Sequence, residues 1–235
     1  MTLGPFTLNI WLFTFNLSPD YMKNQHTPFA REGYPFIGGA TLVAAVFAIF
    51  GWWCLTTIAA LLAIFTVWFF RNPERIPPAG EKKVVSPADG KVIFVGEVVE
   101  PRCGDAPVTK ISIFMNVFNV HVNRVPVSGT VIDRFYNSGR FFNAALDKAS
   151  SDNEQCGLIL QTDDGFKVMS VQIAGLIARR IVTYPKIGDR VERGRRYGLI
   201  RFGSRLDVYL PHGSTINVHL GELTVAGETV LGDLP

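Results

Sequence analysis

The stretch YGLIRFGSRLDVYLP at 197–211 decides the fold: two runs rich in branched and aromatic side chains meet at Gly203-Ser204. Such residues favour the pleated, half-buried surface of a sheet. The same text recurs on both sides. KVIFVGEVV (91–99), KISIFMNVF (110–118) and KVMSVQIAG (167–175) precede it; TINVHLG (215–221) and ETVLG (228–232) follow. Gly, Pro and Asp turns separate these runs at short intervals, which predicts a compact β barrel or sandwich over 84–235. One segment, NAALDKASSDNEQ at 143–155, reads as a helix. The fold class is mainly β, of the α+β type.

Upstream the composition changes. RNPERIPPAGEKK at 71–83 is polar and Pro-rich, a linker. Residues 36–70 contain no charged side chain. As one helix they would run roughly 50 Å, against a hydrocarbon core of about 30 Å. Gly51-Trp52-Trp53 offers a break, so two short helices in a hairpin are expected. Lys23 and Arg31 precede the apolar stretch and Arg71 and Arg75 follow it, placing both ends on the cytoplasmic side of a membrane. Residues 1–35 form an N-terminal segment with little pattern in its first 30 residues. It reads equally as a surface-lying stretch or as an extension ahead of a start at Met22.

The net charge of +3 is small. Arg193, Arg195, Arg196, Arg201 and Arg205 cluster in sequence, with Arg179 and Arg180 upstream. They suit phosphate or an anionic bilayer face, a solvated face being the simpler reading. No nucleic-acid partner is expected. Cys54, Cys103 and Cys156 are sparse and odd in number, which argues for a reducing compartment and against a disulfide framework. His26, His121, His212 and His219 show no metal-ligand spacing, and no metal is expected. The serine-hydrolase elbow, the P-loop and the dinucleotide-binding glycine pattern are all absent.

Alone, Gly203-Ser204 is a common turn dipeptide. With SPADGKV at 86–92 and FMNVFNVHVNRVP at 114–126 it carries a resemblance. EGYPFI (32–37), FFRNPER (69–75), LDKASSDNE (146–154), VQIAGLIARRI (171–181), GLIRFGSRLDVYLP (198–211) and AGETVLG (226–232) extend it over residues 32–235. The chain resembles the phosphatidylserine decarboxylase family, in its short bacterial and archaeal branch. A second Gly-Ser, Gly213-Ser214, competes for the family's cleavage point. Ser204 fits because a strand and a Pro-Gly-like turn, RLDVYLPHG, follow it, whereas Ser214 would leave the C-terminal piece a strand short.

The resemblance implies self-cleavage between Gly203 and Ser204 into residues 1–203 and 204–235, which stay together as a heterodimer. Ser204 becomes a covalent pyruvoyl group, the cofactor. The lipid's amine joins it as a Schiff base, and phosphatidylserine loses CO2 to give phosphatidylethanolamine. Asp89 and His121 are implied as catalytic partners of Ser204. The longer branch carries a second histidine where this chain has Arg124, which leaves the division of proton transfers open. Arg124, Arg201 and Arg205 are candidates for binding substrate phosphate or carboxylate, because a guanidinium fork matches such oxygens. A homodimer stays open. Rival readings are the same chemistry on an archaeal serine ether lipid and a membrane-tethered β-barrel module without catalysis.

Overall fold

The computed structural model describes residues 25, 27–139, 144, 152–176, 180–201 and 203–235. The uncharged stretch folds as two helices, α1 (Tyr34–Ile49) and α2 (Trp53–Phe69). Pro35 sits in the first turn of α1, where a missing N–H costs nothing. The chain reverses at Gly51, whose φ of 69° lies in the left-handed region. No residue of α1 is buried, and in α2 only Ala59 and Phe69 are. Leu42, Ile49, Trp53, Leu61 and Ile64 are exposed. Thr41, Thr56, Thr57 and Thr66 each donate to the carbonyl four residues back, so their hydroxyls need no water. Among the described residues one helix, Arg31–Ile49 with its opening 3-10 turn, is long and apolar enough to cross a membrane.

Fourteen strands follow: β1 (Lys83–Val85), β2 (Gly90–Val98), β3 (Val108–Met115), β4 (Val122–Arg124), β5 (Gly129–Asn137), β6 (Gln155–Gln161), β7 (Lys167–Ala174), β8 (Ile181–Thr183), β9 (Arg190–Val191), β10 (Arg196–Ile200), β11 (Ser204–Leu210), β12 (Thr215–Ile216), β13 (Leu223–Thr224) and β14 (Val230–Asp233). Eight make a curled antiparallel sheet in the order β13-β2-β3-β11-β7-β6-β5-β9. Two three-stranded sheets, β1-β14-β12 and β4-β10-β8, supply further core residues. The β-rich class with a leading helical pair is thus as expected. The helix expected at 143–155 falls mostly outside the described residues, and its last residue, Gln155, begins β6 instead.

Period-two alternation sorts β11. Leu206, Val208 and Leu210 join Ile111, Ile113 and Met115 in the main core, against Val84, Tyr197 and Leu231 of the small sheets. Tyr209 faces the other way, with Met169, Val171 and Ile173. Arg205 and Asp207 share that second face. Arg205 Nε and Nη2 donate to the two Asp207 oxygens at 2.7 and 2.8 Å, and Lys110 Nζ lies 3.1 Å from Asp207.

The solvated-face reading of the basic cluster holds for Arg180 and Arg195, which are exposed, and is corrected for Arg193, Arg196 and Arg205. Arg196 and Arg205 are buried. Arg193 donates to the carbonyls of Pro78, Gly80 and Lys83, and Arg196 to Asn72 and Glu74. These arginines strap the 71–83 linker to the domain. Cys54, Cys103 and Cys156 are all free thiols.

Removing one partner of a buried ion pair strands the other. Asp207→Ala should therefore lower unfolding stability by about 3–5 kcal/mol in denaturant titration. A loss below about 1 kcal/mol would mean that water reaches Arg205 and Lys110.

Candidate active site

Ser204 opens β11 and is fully buried. It is paired with Met115 of β3 on one side and Ala174 of β7 on the other. Among the described residues its hydroxyl has one partner, the Met115 sulfur, at 3.6 Å. A thioether is a weak acceptor, so the Oγ lone pairs stay uncommitted. Gly203 lies just outside the ladder. A Cβ there would meet nothing among the described residues, so packing does not demand the glycine.

The demand lies across the chain, at Gly175. A Cβ on Gly175 would overlap the Gly203 carbonyl oxygen, which rests against its Cα. Gly175 ends the VQIAG run after β7, and nothing in its local sequence announces the contact.

A buried polar chain reaches the same place. Thr183 Oγ1 donates to Gln172 Oε1 at 2.5 Å, and Gln172 Nε2 donates to Asn123 Oδ1 at 2.8 Å. Asn123 Nδ2 then meets Met115 Sδ at 3.7 Å. Each side-chain amide is held by the next, which fixes Asn123 and Met115 beside Ser204.

His121 precedes β4 and is buried, its ring 4.2 Å from that of Phe69 at the end of α2. Nδ1 lies 2.9 Å from the Asn119 carbonyl oxygen. A carbonyl only accepts, so Nδ1 carries the proton and Nε2 the lone pair. Nε2 is buried and has no partner among the described residues. Burial above all, with the charge of Arg71 adding to it against the Asn119 hydrogen bond, pushes the His121 pKa down to about 4.

Asp89 follows a turn in which Ser86 Oγ donates to the Ala88 carbonyl. One carboxylate oxygen accepts from Ala226 N–H at 2.7 Å and the other lies 3.2 Å from Arg75 Nη2. Arg75 also reaches Glu228. Among the described residues no hydrogen bond joins Asp89, His121 and Ser204 to one another.

The three arginines expected to bind substrate part company. Arg205 points away from the Ser204 face, into its pair with Asp207. Arg124 is buried and donates to the carbonyls of Gly194 and Pro73 at 2.7 and 2.6 Å. Burial, together with Arg196 and Arg75, lowers its pKa to about 10. Of the three, only Arg201 has a head without a hydrogen bond among the described residues. Its guanidinium carbon lies 5.1 Å from the centre of the Phe36 ring at the start of α1, and its Nε is buried with no partner among those residues.

Comparison with known proteins bears on the family to which the chain belongs. The family model described as phosphatidylserine decarboxylase matches residues 62–232. The phosphatidylserine decarboxylase proenzyme of Citrifermentans bemidjiense is 58% identical over 220 residues, covering 91% of this chain and all of the relative. The proenzymes of a Geobacter species (strain M21) and of Geotalea uraniireducens are 57% and 56% identical, each again covering 91% of this chain and the whole of the relative. With an identity this high over nearly its full length, the chain belongs to the phosphatidylserine decarboxylase family.

Proposed function

We propose that this chain is a proenzyme that cuts itself between Gly203 and Ser204 and then, as a carboxy-lyase, converts phosphatidylserine to phosphatidylethanolamine and CO2. The observation that carries this reading is the setting of the Gly203–Ser204 bond. It lies at the head of a buried central strand, with a hydroxyl that has no strong partner among the described residues and a carbonyl seated on a bare glycine Cα. Family membership and the proenzyme name of the relatives support it.

In self-cleavage Ser204 Oγ attacks the Gly203 carbonyl carbon, and the acyl group passes from nitrogen to oxygen. Removal of the residue-204 Cα proton expels the Gly203 carboxylate and leaves dehydroalanine. Tautomerisation and addition of one water then release ammonia and leave a pyruvoyl group at residue 204. A serine hydroxyl is a weak nucleophile and needs a base. His121 supplies it through Nε2, neutral at physiological pH and aimed by the Asn119 carbonyl. Asp89 acts at a remove, fixing the 225–228 loop and Arg75 around the site.

The residues present fit such a group, because position 204 is enclosed by Met115, Ala174 and the Asn123 amide. When formed, the pyruvoyl group supplies a keto carbon for the substrate amine and an electron sink for decarboxylation. The chain does the rest. Arg201 offers its fork to the substrate carboxylate, and burial around Ser204 keeps bulk water away. His121 returns a proton after CO2 departs. The hairpin sits in the cell membrane with the β domain on the cytoplasmic face, where lipid headgroups are presented to it. Its exposed apolar flanks and internally satisfied threonines support that placement.

Intact mass measurement under denaturing conditions should find fragments 1–203 and 204–235, the smaller with a blocked N-terminus. Ser204→Ala should remain one chain; a single chain from an active, unmodified preparation would refute the scheme.

Gly175→Ala should slow cleavage about 10²-fold by displacing the carbonyl. Unchanged cleavage would show that the Gly203 carbonyl need not rest there.

In the uncut Ser204→Ala chain, the His121 imidazole should titrate near 4 by NMR. Because the unfolded chain then binds the proton more readily, stability should fall as pH drops from about 6.5 toward 4. A midpoint near 6.5 would mean a solvated ring.

A further inference from the structure

We propose that Arg71 holds the phosphate of the lipid substrate, and that two apolar grooves on the helical hairpin take its two acyl chains. This rests on the decarboxylase reading and adds to it a binding site for one diacyl phospholipid.

The first groove, about 530 Å3, runs between Thr41 of α1 and Ala63, Ile64, Val67 and Trp68 of α2, with Arg71 at its mouth. That volume is in the range of about 300–1,000 Å3 typical of ligand sites. Ala63 lies eight residues before Arg71, roughly 12 Å along a helix. The groove therefore runs from the hairpin base toward the depth of the hydrocarbon. A second groove of about 370 Å3 lies beside the first, lined by Leu61, Ile64, Phe65, Trp68 and Phe118. The two share Ile64 and Trp68, so both can be filled from one headgroup.

Arg71 lines the first groove and is fixed against Trp68, which lines both. Its guanidinium carbon lies 3.8 Å from the centre of the Trp68 ring. Nη1 donates to the Trp68 carbonyl and Nη2 to the Phe118 carbonyl, both at 2.9 Å. A guanidinium has five N–H donors. These two bonds orient the fork and leave donors for an anion. On its other side Arg71 is within electrostatic reach of the site. Burial lowers its pKa, Asp89 opposes that, and Arg71 in turn acts on His121.

The order of groups is that of the lipid. In phosphatidylserine the phosphate stands between the acylated glycerol and the serine headgroup. Arg71 stands between the grooves and His121. An apolar groove with one cation at its rim, and that cation within electrostatic reach of His121, is complementary to an anionic lipid. The FFRNPER stretch carries this arginine at the helix exit, where the sequence shows only a flanking basic residue.

The test uses full-length protein with three readouts. Self-cleavage is scored by mass. Phospholipid retained by the uncut Ser204→Ala chain after detergent extraction is counted by native mass spectrometry. KM is measured for dioleoyl phosphatidylserine vesicles and for water-soluble glycerophosphoserine. Arg71→Gln should still cleave, retain about tenfold less lipid in the uncut background, and raise KM about tenfold for both substrates. Ala63→Phe should raise KM for the vesicles and leave that for glycerophosphoserine unchanged. The proposal is overturned if Arg71→Gln keeps its bound lipid and a KM within about twofold. Loss of self-cleavage in Arg71→Gln would place the residue in processing and overturn it too. Equal effects of Ala63→Phe on both substrates would remove the acyl-chain grooves. Failure of the decarboxylase reading shows separately, as an unmodified chain that neither cleaves nor turns over lipid.

Discussion

Everything in this molecule depends on β11 being a central strand. From Ser204 to Leu210 it is paired with seven residues of β3 and, over six of those positions, with β7. The bond before Ser204 lies at the edge of that ladder, with Gly203 outside it. A break at that bond removes one covalent link and leaves the ladder intact. The segment 204–235 also supplies β13 to the large sheet and β12 and β14 to a small one. Under the proposed cleavage, products so interleaved would stay together without any dedicated interface, and residue 204 would become a chain terminus while still enclosed by its neighbours.

The same enclosure explains why the site is built from imperfectly satisfied groups. Buried polar atoms are ordinarily paired. The Thr183–Gln172–Asn123 chain obeys that rule, linking the large sheet to the β4-β10-β8 sheet. It ends on a sulfur, and Ser204 Oγ ends on the same sulfur. Among the described residues His121 Nε2 and Arg201 Nε have no partner. Local violations of hydrogen-bond economy inside an otherwise consistent core are expected where chemistry is done.

The strands, the linker and the hairpin's break at Gly51 were legible because each is written in local composition and period. The family was legible too, once Gly203-Ser204 was set beside SPADG and NVHVNRVP. The arginines were not. Arg201 and Arg205 look alike in sequence. Strand alternation turns Arg205 onto Asp207, while Arg201, before the strand, is left near Phe36. Arg193 and Arg196 are drawn inward by linker carbonyls more than a hundred residues away, contacts that no periodicity reports. Gly175 was hidden for the same reason: its partner is the Gly203 carbonyl, on the next strand in space but far off in sequence.

In the proposed scheme the division of labour between Asp89 and His121 follows from who holds whom. A carboxylate that oriented and neutralised an imidazolium would have to sit on Nδ1. Here Nδ1 faces the Asn119 carbonyl, and the Asp89 oxygens face Ala226 N–H and Arg75. His121 is therefore aimed but not charge-compensated, and burial and Arg71 both disfavour its protonated form. Such a base is always available and slow to keep a proton. Self-cleavage can accept that, because each chain does it once. Decarboxylation repeats, and its proton must come from an acid. The low pKa then has a use: an imidazolium formed transiently in this site is a strong donor and discharges readily to a carbanion. The group that makes His121 a mediocre first-step base is thus suited to the last step of every later turnover. Binding an anionic lipid at Arg71 would offset one of the two influences that hold its pKa down.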